Sequence, residues 1–366
     1  MRQLRTITAN TFTEAIRQPI YTVGVLVGAV LLVLNLSLAA YSMEPGSGDN
    51  KMLIDIGLST IFLTGLVLAA FSATGAIADE IESKTVLTVV SKPVARPLFV
   101  LGKFLGVAAA ISVAYVTLAA VFLLTVRHSV LQNAADDLDG PVLAFGLGGA
   151  ALAFAYATAG NYLYRRPFTS NLVLGLAVAM GLALLGVLVV DPHWDLQSPA
   201  AEFRANNAGL VQVVLGLGLI FEAVLMLTAI AVAASTRFGQ LMTLLISVGA
   251  FFAGIVSNSL SGWVNTRLNL PRDIGVFDSI AAVAATTEAG LLEKAVYLFA
   301  KVFYLVIPNL QFFWPADAIS QGNSMIHDLN DRFTLAPIGS ASLYGLLYVI
   351  AALAVAVILF QRREVS

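Results

Sequence analysis

Long apolar stretches dominate this sequence. Of its 366 residues, 58% are hydrophobic and 11% are charged, and the mean hydropathy is +0.87. About twenty consecutive apolar residues let an α-helix cross the hydrocarbon core of a bilayer while satisfying its own backbone hydrogen bonds. Such stretches predict membrane-spanning helices at residues 20–40, 52–78, 97–126, 141–164, 168–190, 210–235, 241–263 and 341–360. The sequence therefore predicts an all-α, polytopic transmembrane helical bundle of about eight spans, forming one domain over residues 1–366.

The residues before the first span predict a different kind of helix. Apolar side chains recur there at helical spacing, and Arg2, Arg5 and Arg17 lie beside them. This pattern favours an amphipathic interfacial helix over residues 1–19, lying on the membrane surface. A basic tail without fixed structure is the alternative. The first span is too long for the apolar region of a cleaved signal peptide, so we expect it to be retained.

A charged island interrupts the apolar pattern between the second and third spans. Charged side chains are costly in lipid, and proline lacks the backbone N–H that a continuing helix needs. We therefore place residues 79–97 at a membrane surface, as a short helix or turn. An ordinary connecting loop is the alternative. The charged residues and prolines of the island are Asp79, Glu80, Glu82, Lys84, Lys92, Pro93, Arg96 and Pro97.

The order of residues in this island resembles the membrane subunits of ABC-2 type transporters. An acidic EIE start is followed by KT, then by SKPVAR, and finally by LGKFLG. In that family this stretch is the cytoplasmic coupling segment, which docks on a separate ATPase subunit. The resemblance implies an exporter built from two permease subunits and two ATPase subunits. It also implies ATPase-coupling roles for Glu80, Glu82, Lys84, Thr85, Leu87, Lys92, Pro93 and Arg96.

No nucleotide-binding motif accompanies the island. The nearest approach to a phosphate-binding loop is Gly102-Lys103, but Phe104 follows where Ser or Thr is needed. ATP is therefore expected to bind to the partner subunit, and this chain to be no enzyme and to need no cofactor of its own. The absence of cysteine and the wide spacing of the three histidines predict no metal site. The net charge of −2 gives no reason to expect nucleic-acid binding.

The distribution of basic residues predicts the orientation. With the N-terminus inside and the spans alternating, more than half of the 20 Lys and Arg residues fall on short inner segments. The positive-inside rule therefore predicts a multi-pass protein of the cell (inner) membrane with both termini cytoplasmic. The acidic residues are concentrated on the opposite side.

The long segment 264–340 is then extracytoplasmic. Within it, residues 291–310 are nearly long enough to span, but Glu293, Lys294 and Lys301 would each cost a few kcal/mol near the bilayer centre. We therefore predict a re-entrant or interfacial helix there. The resemblance implies the same, because ABC-2 subunits carry short outer-face helices before their last span.

Glu222 is the one acidic residue well inside a predicted span. It could line a pathway or relay a proton, but a structural carboxyl between helices is the interpretation that we favour. Asn161 is a second possible intramembrane polar site, although interhelical hydrogen bonds are the simpler role for Asn161 and Asn35. These observations leave three functions open. They are an exporter permease, a secondary ion-coupled transporter that uses Glu222, and a membrane assembly or scaffold subunit. The extra spans at residues 141–190 depart from the usual six-span pattern, and no motif indicates the substrate.

Overall fold

The computed structural model describes residues 2–40, 48–78, 95–131, 137–199, 209–271, 274–286, 290–314 and 335–361. Over these residues the protein is helical, apart from its connections and one isolated bridge between Val190 and Leu196. The helices are α1 (Arg2–Arg17), α2 (Pro19–Ala39), α3 (Gly48–Ala73), α4 (Arg96–His128), α5 (Gly140–Tyr164), α6 (Phe168–Val189), α7 (Gly209–Ser235), α8 (Gln240–Arg267), α9 (Val276–Ala285), α10 (Leu291–Val306) and α11 (Leu335–Gln361).

The eight predicted spans are confirmed. Eight helices in the described ranges are long and apolar enough to cross a membrane, namely α2 to α8 and α11. The predicted helix before the first span is α1, and the short helices before the last span are α9, α10 and a 3₁₀ turn at Leu310–Phe313. At 16 residues, α10 is too short to form a ninth span.

The centre of the bundle is formed by α3, α4 and α7, which are the most buried spans. Two buried tyrosines join neighbouring helices there, because a buried hydroxyl needs a hydrogen-bond partner. The hydroxyl of Tyr21 on α2 donates to the carbonyl of Ala110 on α4 at 2.5 Å. The hydroxyl of Tyr115 on α4 donates to the carbonyl of Leu217 on α7 at 2.6 Å. These bonds fix α4 between α2 and α7.

The interfacial helix α1 packs on the first half of α4 at two glycines. A Cβ on Gly102 would lie 2.8 Å from Ile7, and a Cβ on Gly106 would lie 2.5 Å from Thr11. The hydroxyl of Thr8 donates to the carbonyl of Gly102 at 3.3 Å. Small residues therefore let two helix backbones approach closely, as expected for helix packing in membranes.

The hairpin of α5 and α6 lies at the side of the bundle, and α5 is the least buried span. At one end, Arg127 from the last turn of α4 forms a salt bridge with Asp139 at 3.2 Å. Asp139 also caps α5, because its side chain accepts the backbone N–H of Val142 at 3.0 Å. The Arg127 guanidinium further donates to the carbonyls of Val187 and Val190 at the end of α6. One buried ion pair thus joins α4, α5 and α6.

Candidate functional site

The structure describes the chain on both sides of the charged island, which is the predicted coupling segment. Residues 79–94 lie outside the described residues, and with them Glu80, Glu82, Lys84, Thr85, Leu87, Lys92 and Pro93. Arg96 is described, as are the helices that enter and leave the island. The packing of these two helices decides which other helices would move if the island were displaced.

The chain enters the island through a π-helical turn. The α3 helix changes at Thr74–Ala78 to a wider turn, and Gly75 in it packs against the side-chain amide of Gln18 at the start of α2. The turn also contacts α1, α4, α7 and α8. Single π-helical turns occur frequently at functional sites in membrane and soluble helices. Here the turn lies immediately before the island, in contact with four other helices.

The chain leaves the island at the start of α4. Ala95 is extended, and Pro97 stands in the first turn of the helix, where its missing N–H costs nothing. The guanidinium of Arg96 donates to the carbonyl of Gln361, the last residue of α11, at 3.0 Å. The rings of Phe99 and Phe360 stack beside this bond at 5.4 Å between centroids. The start of the third span is therefore joined to the end of the last span.

Glu222 belongs to α7, and its partly buried side chain lies between α7 and α11. Its Oε1 accepts a hydrogen bond from the hydroxyl of Ser342 at 2.8 Å. Its Oε2 is buried and, among the residues that the structure describes, has no hydrogen-bond partner. A Cβ on Gly345 would lie 3.9 Å from this oxygen and 3.1 Å from the ring of Phe313. The carboxyl group thus makes one interhelical bond and keeps one acceptor unused.

A cavity of about 520 Å³ lies near Glu222, between α3, α7, α8 and the 3₁₀ turn. Its walls include four aromatic side chains, and none of its lining residues carries a charge. The polar groups in its wall are already engaged, because Ser59 donates to the carbonyl of Asp55 and Gln311 bonds to Asn258 and to the carbonyl of Ile255. Such a cavity suits an apolar molecule. The lining residues are Ser59, Phe62, Leu63, Ile220, Ala223, Phe251, Ile255, Leu310, Gln311, Phe313 and Trp314.

The structure does not bring Asn161 to Glu222. The side-chain amide of Asn161 donates to the carbonyl of Arg166 at 2.8 Å and closes the turn between α5 and α6, where Asn161 is exposed. The interhelical bond expected of an asparagine is made instead by Asn35 of α2, which donates to the carbonyl of Leu53 of α3 at 2.7 Å. Asn161 lies three residues before the end of α5 and four before Arg165, and this position is the sequence signal that would have placed it at a turn.

Sequence reasoning missed the role of Lys301, which it counted only as a cost to membrane insertion. Lys301 on α10 is 1% exposed, and its ammonium donates to the carbonyl and hydroxyl of Ser261 and to the side-chain carbonyl of Asn265, both on α8. Burial lowers the pKa of Lys301 from the ordinary lysine value. The three oxygen acceptors replace the water that the ammonium has lost. Lys301 therefore fastens the short helix α10 to the seventh span.

Residues 9–163 match the family model described as ABC-2 family transporter protein. Through this region the chain is similar to ABC-2 family transporter proteins. The match begins in α1, passes through the coupling island, and ends with α5. No curated protein and no solved structure matches the chain. The island, part of α1 and the first four spans thus fall within the region that the family model covers. The eight long apolar helices in the described ranges make the chain a multi-pass membrane protein.

A conservative substitution tests whether Glu222 is structural. Glu222→Gln retains the shape of the side chain and an acceptor for Ser342, so we expect the melting temperature of the purified permease to stay nearly unchanged and transport to continue. The measurement is thermal unfolding in detergent together with a transport assay in cells. Ser342→Ala is the matched control for the loss of the hydrogen bond alone. Loss of transport in a normally expressed and folded Glu222→Gln protein would instead give the carboxyl a part in proton or ion coupling.

Proposed function

We propose that this chain is the membrane-spanning permease subunit of an ABC-2 type exporter and that a separate ATPase subunit docks on residues 79–97. The observation that carries the proposal is the family match over residues 9–163, which includes this island. A second copy of the permease, or a related one, would complete a unit of two permeases and two ATPases. The ATPase would bind the ATP, and this chain would contribute no catalytic residue.

The helices at both ends of the island support a coupling role. On the entry side, the π-helical turn contacts α1, α4, α7 and α8. On the exit side, Arg96 bonds to the end of α11. Movement of a docked ATPase would therefore act on the buried centre of the bundle and on the last span together. The apolar cavity beside α3, α7 and α8 is bordered by these same helices.

The coupling role has a direct test in the island itself. An apolar run from Val86 to Val90 with charged neighbours suits a small docking surface, in which apolar side chains fill a groove and charges fix the register. We expect Leu87→Asp to abolish co-purification of the ATPase in mild detergent, because it buries a charge without a partner. Glu82→Lys should weaken association less.

The control is Glu202→Lys, which makes the same change of charge as Glu82→Lys at a position between α6 and α7 in the sequence and should leave association unchanged. All three variants should insert into the membrane at the wild-type level. Full recovery of the ATPase with Leu87→Asp, together with normal transport, would show that the island is an ordinary loop. It would remove the basis for an ATP-driven exporter.

The proposed orientation places both termini in the cytoplasm of a cell whose inner membrane holds the protein. It rests on the basic residues, since the short segments assigned to the inside carry more than half of the 20 Lys and Arg. A tag at Ser366 should be protected from protease added outside intact cells, whereas a tag at Gly48 should be cleaved. Cleavage at both tags would mean that the number of crossings is odd, and cleavage at Ser366 alone would mean that the orientation is inverted.

A secondary transporter is the second candidate. The specific observation in its favour is the buried, unpaired Oε2 of Glu222 in the middle of α7. Dependence of transport on a proton gradient, with no ATPase recovered from mild detergent, would favour this candidate over the exporter.

A further inference from the structure

The turn between α5 and α6 carries a group of side chains that the proposed function does not use. Tyr162 is 86% exposed and Tyr164 is 70% exposed. Arg165 and Arg166 follow directly and are also exposed. Among the described residues, no acidic side chain forms a salt bridge with either arginine. The turn therefore presents two positive charges next to two aromatic rings.

The turn is held in a fixed shape. The backbone N–H groups of Arg165 and Arg166 donate to the carbonyls of Asn161 and Gly160, both at 3.1 Å. The Asn161 side chain bonds back to the carbonyl of Arg166. Arg165 adopts a left-handed backbone conformation with φ of 52°, which ends α5 and turns the chain. The guanidinium of Arg166 lies 5.5 Å from the centre of the Tyr164 ring, within cation–π range.

The tertiary structure brings the end of α1, which carries a third arginine, next to this turn. The hydroxyl of Thr169, in the first turn of α6, donates to the carbonyl of Arg17 at the end of α1 at 3.2 Å. Arg17 is exposed and borders an open cleft of about 550 Å³, lined by Asn10, Thr13, Glu14, Arg17, Gln18 and Pro19. Glu14 is the one acid in this lining and already has an interaction partner. We call Arg17, Arg165 and Arg166 the basic turn.

The surroundings of the basic turn identify its ligand. Along α5 the exposed side chains change from apolar to aromatic and then to arginine, as at Leu152, Tyr162 and Arg165. This is the order of hydrocarbon, interface and headgroup in a bilayer. Guanidinium groups pair with phosphate oxygens by two parallel hydrogen bonds. The geometry points to a binding site for the phosphate of an anionic membrane lipid, held by the basic turn with the tyrosines at the level of the glycerol.

A soluble protein partner fits this surface less well, because the exposed side chains that lead to Arg165 along α5 are apolar and then aromatic, and they lie on the span that the bundle covers least. The inference also stands apart from the proposed function. It requires no ATPase, no transported molecule and no choice of membrane side. The extra hairpin at residues 141–190 thereby gains a role, since its turn supplies two of the three arginines.

The test is lipid retention by the purified full-length permease. The protein is delipidated in detergent, offered equal amounts of phosphatidylglycerol and phosphatidylcholine, and examined by native mass spectrometry. We expect phosphatidylglycerol to be preferred and Arg165→Gln/Arg166→Gln to reduce its retention about tenfold, because two of the three charges are lost. Arg165→Lys/Arg166→Lys should keep most of the retention. Arg267→Gln is the matched control, since Arg267 is also exposed and lies 6.0 Å from the centre of an aromatic ring, but is the one Arg or Lys within the described residues 262–271.

Three results would overturn the inference. The first is equal retention of the two lipids by the wild-type protein. The second is unchanged retention of phosphatidylglycerol in the glutamine variant. If this variant also loses a co-purifying ATPase, the turn is a protein-docking surface. If it does not, the turn is an unused surface. The third is displacement of the lipid by an equal concentration of inorganic phosphate, which would make the ligand a soluble anion. A glutamine variant with an altered melting temperature is replaced by Arg17→Gln, for which a smaller fall in retention of about threefold is expected because one charge is lost.

Discussion

Arg127→Met is expected to destabilise the permease by about 3–5 kcal/mol, which is the usual cost of removing one partner from a buried ion pair. The side chains of Arg127 and Asp139 are each 6% exposed. The substitution would leave the Asp139 carboxylate buried without its counter-ion, and the carbonyls of Val187 and Val190 without their donor. The α5–α6 hairpin should separate first, because these bonds hold its end to α4. Thermal unfolding in detergent measures the loss.

A second substitution shows whether the unpaired charge is the cause. In Arg127→Met/Asp139→Leu the buried carboxylate is gone, so this double variant should be more stable than Arg127→Met alone. The exposed pair of His193 and Asp191, with nitrogen and oxygen 4.0 Å apart, provides the control. Since exposed pairs contribute little, His193→Gln should leave the melting temperature unchanged. A melting temperature of Arg127→Met equal to that of the wild type would contradict the proposed role of the pair.

Gly106→Val is expected to detach the interfacial helix from the bundle. A Cβ at this position would lie 2.5 Å from the Cβ of Thr11 and 2.8 Å from the backbone carbonyl oxygen of Thr8. Backbone atoms cannot move aside as a flexible side chain can, so α1 must shift as a whole. Overpacking of this kind typically costs about 1–3 kcal/mol.

The displacement can be measured with a single cysteine, because the chain contains none. Ala15 on α1 is 2% exposed, so Ala15→Cys should react slowly with a water-soluble thiol reagent in an otherwise wild-type protein. The reaction should be many times faster when Gly106→Val is added. Gly148→Val is the matched control, since nothing lies within 4 Å of a Cβ at Gly148. Equal reaction rates in all three proteins would show that α1 does not depend on the close approach at Gly106.

The contact of α1 at Gly106 and the ion pair of Arg127 should affect function differently. The α1 helix contacts the π-helical turn that leads into the coupling island. If the island docks an ATPase as proposed, a detached α1 should therefore change that coupling as well as the stability of the fold. The ion pair of Arg127 lies at the opposite end of α4 from Arg96 and the island, and its loss should affect stability alone.

The sequence by itself determined the class of the fold, the number of spans and the resemblance to one family. Runs of about twenty apolar residues leave no other structure for the backbone in lipid, so the eight spans were predictable within a few residues. Lys301 and Glu293 correctly argued against a ninth span. The order of residues in the island indicated an ABC-2 permease, which the match over residues 9–163 bears out. These features are local in the chain, and local composition was enough to find them.

Only the tertiary structure decided which polar groups meet. Arg127 and Asp139 fall between the third and fourth predicted spans, yet they form a buried pair that joins three helices. The acceptors of Lys301 lie on α8, some forty residues away in the chain. The carbonyl of Arg17 accepts a hydrogen bond from the first turn of α6, although α2 to α5 lie between them in the chain. Periodicity shows which face of a helix is apolar, but it does not give the partner of a single polar side chain. That partner depends on how the helices pack, because a polar group in a membrane must be satisfied by whichever neighbour the packing brings near.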